Sequence, residues 1–348
     1  MRTKHSYTEA IDGQQTVEYY RHLHEVRTKD GMKLVMTQKI PVNQKPKASV
    51  MLVHGLGQNR YTWTQTKRSF EHFLVANGFQ TFNVELRGHG MSRANGSEHP
   101  ESFECYLNWD IPAFIEEITE LSHDKKIFYI GHSLGATISY CIGADFQDKL
   151  AGIIGIAGPY NMGKGNPYMK ALGQSLEGLK GIIPLHRILP ETFYIDLIGL
   201  LASHGLELID NDSFPIPVHV WYPESIERDI LKERVRRGFD RTSLSVVSLL
   251  IEWTAKGRLF NSENNRDYEK HIEDIQIPFC FIAGNDDYVV SPEDVNEAYL
   301  KAGSNDKVFK IFGSKDTFPK FGHIDLISGK AAPANSWKYM LEWLDSRI

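Results

Sequence analysis

Apolar residues fall in short unbroken runs along this chain, separated by stretches of helical period, and the alternation predicts a mainly parallel sheet covered by helices. The runs are ASVMLVH (48–54), QTFNVE (80–85), KIFYIG (126–131), GIIGIA (152–157), PFCFIAG (278–284) and DKVFKIF (306–312). Ahead of them, His22–Arg27 and Lys33–Ile40 read as a hairpin turning at Lys29-Asp30-Gly31. Between strands, Phe70, Phe73, Leu74 and Asn77 share one helix face, and Gly78 is placed to stop that helix. The last helix is predicted to begin near Pro333, with Trp337, Met340, Leu341 and Leu344 as a core-facing stripe that serves packing.

The rhythm changes between 159 and 270. Pro159, Gly163, Gly165 and Pro167 open this segment, and helical patterns over 193–206 and 225–260 follow without intervening strands. Arg234, Arg236 and Arg237 alternate with Glu227, Asp229 and Glu233, which reads as a solvated helix face. The expected organisation is one α/β core built from 1–158 and 271–348, interrupted by a helical cap over 159–270.

Composition narrows the function. A chain of 348 residues with 41% hydrophobic content can bury a core without staples. With 44 acidic against 39 basic residues the net charge is -5, which gives no electrostatic reason for a nucleic-acid or anionic-membrane partner. Cys105, Cys141 and Cys280 lie far apart and outside any CxxC, so they read as reduced thiols rather than as a disulfide or metal framework. The first residues contain no apolar stretch of the secretion-signal kind. Residues 127–144 carry no charged side chain, yet their glycines, His132 and hydroxyls suit a buried strand running into a buried helix better than a membrane span. The expectation is a cytoplasmic protein with no integral membrane segment, metal or organic cofactor. Its oligomeric state has no signature in the sequence.

The chemistry concentrates in a few places. Gly131-His132-Ser133-Leu134-Gly135 is a G-x-S-x-G between a predicted strand and a predicted helix. There a sharp turn lifts the serine hydroxyl clear of the backbone, and glycines on either side admit the turn. A serine hydroxyl needs a base oriented by a third group. His323, in FGHIDLI, is the candidate base. The acid is expected after the strand ending FCFIAG, where Asn285-Asp286-Asp287 offers two aspartates; the G-x-x-D spacing from Gly284 favours Asp287 and leaves Asp286 as the alternative. His54-Gly55-Leu56-Gly57 closes another strand, and the Leu56 and Leu134 backbone N–H groups are the candidate oxyanion hole. Glu85 and the loop Arg87-Gly88-His89-Gly90 read as scaffold.

Together these motifs resemble the serine α/β-hydrolase superfamily from about residue 20 to 346, in the chain order Ser133, Asp287, His323. The resemblance extends through HGLGQNRYTW (54–63), VELRGHGMS (84–92) and WDIPAFIEEI (109–118). The closing block GHIDLISGKAAPANSWKYMLEWL (322–344) is similar to acidic lipases and polyhydroxyalkanoate synthases. Those synthases use cysteine where this chain has Ser133, and haloalkane dehalogenases and epoxide hydrolases use aspartate. Ala136 and Glu85 depart from the commoner glycine and aspartate. The resemblance implies an α/β-hydrolase fold and a serine carboxylic-ester hydrolase acting through an acyl-enzyme, on a small ester or lipid-like substrate. Ile195, Leu197, Ile198, Leu200 and Leu201 in the cap suggest a hydrophobic acyl or alcohol group. Thioester hydrolysis or acyl transfer by the same residues, and a catalytically inactive binding module, are the alternatives.

Overall fold

The computed structural model describes residues 5–42, 44–182, 191–211, 219–261, 265–314 and 316–348. Its strands, in chain order, are β1 (Ser6–Asp12), β2 (Gln15–Arg27), β3 (Lys33–Pro41), β4 (Ser49–Val53), β5 (Gln80–Glu85), β6 (Ile127–His132), β7 (Leu150–Ile156), β8 (Thr192–Tyr194), β9 (Arg241–Ser243), β10 (Phe260–Asn261), β11 (Arg266–Asp267), β12 (Phe279–Gly284) and β13 (Lys307–Phe312). Nine of them form one sheet in the order β1-β2-β3-β5-β4-β6-β7-β12-β13. From β5 to β13 every pairing is parallel, while β1, β2 and β3 extend the sheet as antiparallel strands. Each residue of β4, β5, β6 and β12 is buried. Their apolar runs are therefore unbroken because helices cover both faces of a parallel sheet.

The order places β4 and β7 on either side of β6, with β12 next to β7. The carboxyl ends of β4, β6 and β12 thus open onto the same edge, where loops of an open α/β sheet bind ligands. One core layer packs helices Ile111–Ser122 and Leu134–Ile142 on the sheet. The other packs Phe70–Ala76 and the C-terminal helix Lys338–Asp345.

Three local features differ from or add to the expectations from sequence. A further strand, β1, precedes the hairpin; its SYTEAID pattern is half exposed and polar, so it carries no apolar run. The C-terminal helix opens with a wider π turn over Pro333–Trp337. The segment expected to lack strands holds two short antiparallel pairs, β8 with β9 and β10 with β11, which are too short to leave a periodic signature. Within the same segment the helices Ile195–His204, Arg228–Gly238 and Leu244–Lys256 follow the predicted helical pattern, and a further helix spans Pro167–Ile182. Residues 183–190, 212–218 and 262–264, which the expected cap includes, lie outside the described residues.

The solvated-face reading of the basic cluster also changes. Arg236 and Arg237 are exposed, but Arg234 is fully buried. Helical spacing puts it on the face of Ile230, Leu231 and Val235, which pack into a separate apolar cluster with Trp221 and Ile324. No helix among the described residues is long and apolar enough to cross a membrane.

Trp337 anchors the second core layer. It is fully buried, its ring lies 5.7 Å from Phe70 and 5.5 Å from Phe73, and its Nε1 donates to the Ile327 carbonyl at 2.9 Å. Trp337→Ala is expected to destabilise the fold by about 3–5 kcal/mol, read as a lower urea midpoint with the slope unchanged.

Candidate active site

Ser133 ends β6 and begins a helix with its backbone at φ 53°, ψ -121°. A non-glycine residue holds such a conformation only when its surroundings over-determine it, and here they do. The Ser133 N–H donates to the Ile156 carbonyl of β7 at 2.8 Å, and its carbonyl accepts from Ala136 N at 2.9 Å and Thr137 N at 3.1 Å. The flanking glycines are required by close approach. A Cβ on Gly131 would lie 2.4 Å from the Gly135 carbonyl, and one on Gly135 would lie 2.4 Å from the Val53 carbonyl. Tyr129, inside β6, donates its hydroxyl to the Gly135 carbonyl at 2.6 Å and so ties the strand to the helix behind the turn.

The loop after β4 lies directly against this turn, since a Cβ on Gly55 would fall 2.9 Å from Ser133 Cβ. His54 holds the loop's start. Its Nδ1 is 2.9 Å from the Gly55 carbonyl, which can only accept, and its Nε2 accepts from Leu86 N at 3.2 Å. Burial pulls its pKa down to about 4, so this doubly bonded ring is neutral. Neither the Leu56 nor the Leu134 N–H has a hydrogen-bond partner among the described residues. Leu134 N is also one of the open donors at the first turn of its helix.

From the other side come β12 and the loop after β13. His323 Nδ1 lies 2.8 Å from Asp287 Oδ2, both side chains being buried. The other oxygen of Asp287 accepts from Val289 N and Val290 N, each at 2.8 Å, which fixes the carboxylate's direction. Asp286 points elsewhere: its Oδ1 accepts from Lys320 Nζ at 3.2 Å and its Oδ2 from Phe321 N at 3.3 Å. The histidine loop meets the serine turn through His132, whose Nε2 donates to the His323 carbonyl at 3.0 Å with ring centroids 4.8 Å apart. Burial lowers the His132 pKa well below the usual histidine value, so that ring too is neutral.

The remaining motif residues are structural fasteners. Glu85 accepts from Met91 N at 3.0 Å and pairs with Arg60 at 3.1 Å. Arg87 donates through Nε to Asp110 at 2.7 Å and through Nη1 to Asp30 at 2.7 Å. His89 is buried with its Nε2 3.3 Å from the Tyr106 hydroxyl.

Sequence reasoning passed over two groups beside the site. Asp325, within the closing GHIDLISGK block, is fully buried and accepts from Gly322 N at 2.6 Å and Tyr222 N at 2.8 Å. It therefore ties the histidine loop to the inserted segment, and burial pushes its carboxyl up to about 7. Arg234 reaches Gln58, in the loop after β4, at 2.9 Å. Its place on the apolar side of a charged helix was the available signal.

Comparison with known proteins gives consistent results. A family model described as serine aminopeptidase, S33, matches residues 44–194. Human lipase member K is 23% identical over 94% of this chain and 89% of its own length. Human lysosomal acid lipase/cholesteryl ester hydrolase is 23% identical over 88% of this chain and 83% of its own. Among solved structures, the Saccharomyces cerevisiae monoglyceride lipase aligns with a TM-score of 0.61 at 17% identity, covering 98% of this chain and 99% of that one. The Paleococcus ferrophilus monoacylglycerol lipase aligns at 0.57 and 19% identity, covering 95% and 99%. The structural likenesses establish a shared fold.

Two outcomes follow from the carboxylates. Asp287→Asn, which removes the carboxylate hydrogen-bonded to His323 Nδ1, should lower kcat on an activated ester by about 10⁴-fold, while Asp286→Asn stays within about tenfold of wild type in the same assay. Asp325 favours the folded state when protonated; that contribution is complete below its usual 3.8 and is lost as pH rises through about 7. In Asp325→Asn the unfolding free energy, followed by urea titration, should therefore fall less than in wild type between about pH 4 and pH 8.

Proposed function

We propose that this chain, a member of the serine α/β-hydrolase superfamily, hydrolyses carboxylic esters with Ser133 as nucleophile, His323 as base and Asp287 as its orienting acid. The observation that carries the reading is convergence. A serine held at positive φ after β6 adjoins His132, which bonds the backbone of the histidine in a buried histidine–aspartate pair brought in from β12 and the loop after β13. Asp287 occupies Nδ1 of His323, which leaves Nε2 as the nitrogen that exchanges protons with substrate.

The reaction runs in two balanced halves. Ser133 Oγ forms a bond to the acyl carbon while its proton passes to His323 Nε2, and the carbonyl oxygen becomes an oxyanion facing the Leu56 and Leu134 N–H groups. Collapse breaks the bond to the alcohol oxygen, which leaves with the proton from His323. Water then gives a proton to His323 and its oxygen to the acyl carbon. Breaking the Ser133 ester releases the acid and returns the proton to Oγ. Each oxyanion donor of this kind is worth about 2.7–4 kcal/mol of transition-state stabilisation.

The insertion over 159–270 forms the cap that shapes the substrate pocket. Support comes from Ile195, whose side chain packs against Gly57 of the oxyanion loop, and from the exposed Leu197, Ile198 and Leu201 on the same helix. These side chains favour a hydrophobic acyl or alcohol group. The relatives' names include acid lipases and monoacylglycerol lipases, in keeping with a lipid-like ester. The free Cys105, Cys141 and Cys280 support a cytoplasmic setting.

Ser133→Ala should reduce p-nitrophenyl-ester turnover to background and abolish labelling by a fluorophosphonate, with the circular-dichroism spectrum unchanged. Retained turnover in that variant would exclude Ser133 as the nucleophile.

A further inference from the structure

Gln58 stands beside the nucleophile in an arrangement that the two backbone oxyanion donors do not require. Its Cδ lies 3.3 Å from the point a Cβ on Gly55 would occupy, and that point is 2.9 Å from Ser133 Cβ. The carboxamide oxygen is fixed by two donors: Arg234 Nη2 at 2.9 Å and the Thr62 hydroxyl at 2.8 Å. A guanidinium can only donate, so the oxygen and not the nitrogen must face Arg234. The amide NH2 is thereby turned away from Arg234, and it donates no hydrogen bond among the described residues. The backbone here is equally constrained. Gln58 forms a bridge with Phe239, the Gly57 carbonyl accepts from Asp240 N at 2.7 Å, and Asn59 Nδ2 donates to the Arg237 carbonyl at 2.9 Å.

Arg234 is an expensive way to hold a side chain unless its charge is used. It is fully buried, its Nε and Nη1 have no hydrogen-bond partner, and no carboxylate is paired with it among the described residues. Burial alone brings its pKa down to about 9, so it remains charged at neutral pH. An un-neutralised buried cation is destabilising in the resting protein, and its field becomes favourable when negative charge develops nearby.

We propose that Gln58 supplies a third, side-chain N–H to the substrate oxyanion, and that Arg234, reaching over from the inserted segment, is the positioning residue that aims it. This rests on the ester-hydrolase reading above. It makes the insertion part of the rate-determining machinery, because the residue that orients Gln58 belongs to the Arg228–Gly238 helix.

Three single variants and one double variant separate a catalytic role from a merely structural one. Gln58→Glu keeps an oxygen for Arg234 and gives that cation a carboxylate partner, but it removes the donor. It is expected to melt no lower than wild type while kcat on a p-nitrophenyl ester falls about 100-fold and KM changes little. Gln58→Met, which loses both the donor and the link, should fall by about 10-fold to 100-fold. Arg234→Met, close in volume, should fall by no more than Gln58→Met, and the double variant should be no slower than the slower single one, because the two residues act as one unit. Wild-type kcat in Gln58→Glu, or losses that multiply in the double variant, would overturn the proposal. Failure of wild type itself to turn over ester or accept a fluorophosphonate would overturn the hydrolase reading instead, so the two failures are distinguishable.

Discussion

The backbone of one residue organises the rest of this molecule. Ser133 sits at positive φ because β6 must end, turn and enter a buried helix within a few atoms of β4 and β7. Such a conformation stores strain of about 1–3 kcal/mol, and a surface loop would relax it. Here both polar backbone groups of Ser133 are satisfied by fixed partners, and the helix behind it is buried on every side. The parallel sheet is what makes that enclosure rigid, since its central strands have no exposed residue to yield.

Around that fixed point, polar side chains hold each loop to the next. His54 fastens the loop after β4, His132 the loop after β13, and Asp325 couples that last loop to the inserted segment. Several of these groups are kept neutral, or driven toward neutrality, by burial, as the shifted values of His54 and Asp325 express. Neutral buried groups with matched partners position without the large desolvation penalty of a charge. Arg234 is the exception, a charge left buried beside the site, and its exceptional state is what makes it informative.

The readable parts of the sequence were those whose physical cause is local. GHSLG is legible because only glycine tolerates the approach of Gly131 to Gly135 and of Gly135 to Val53. The central strands are legible because burial on two faces demands unbroken apolar runs. Where burial is one-sided or the element is very short, the signal fades. β1 is half-buried along most of its length, with no alternation, and β8 through β11 span two or three residues each. Arg234 was misread because a cluster of charges along the chain hides which helix face each one occupies.

The sequence alone therefore determined the buried central strands, the sharp turn at Ser133 and the short set of residues able to act with it, since each follows from backbone sterics or periodic burial. Spacing favoured Asp287 but left the adjacent Asp286 as an alternative, and nothing in the sequence signalled that Gln58 and Arg234 meet. Only the tertiary structure decided those. Asp286 and Asp287 differ in direction, one toward Lys320 and the other toward His323. Gln58 and Arg234 are 176 positions apart and are joined by the packing of the Arg228–Gly238 helix on the loop after β4. Direction and long-range contact are properties of three-dimensional packing, and no local pattern of residues encodes them.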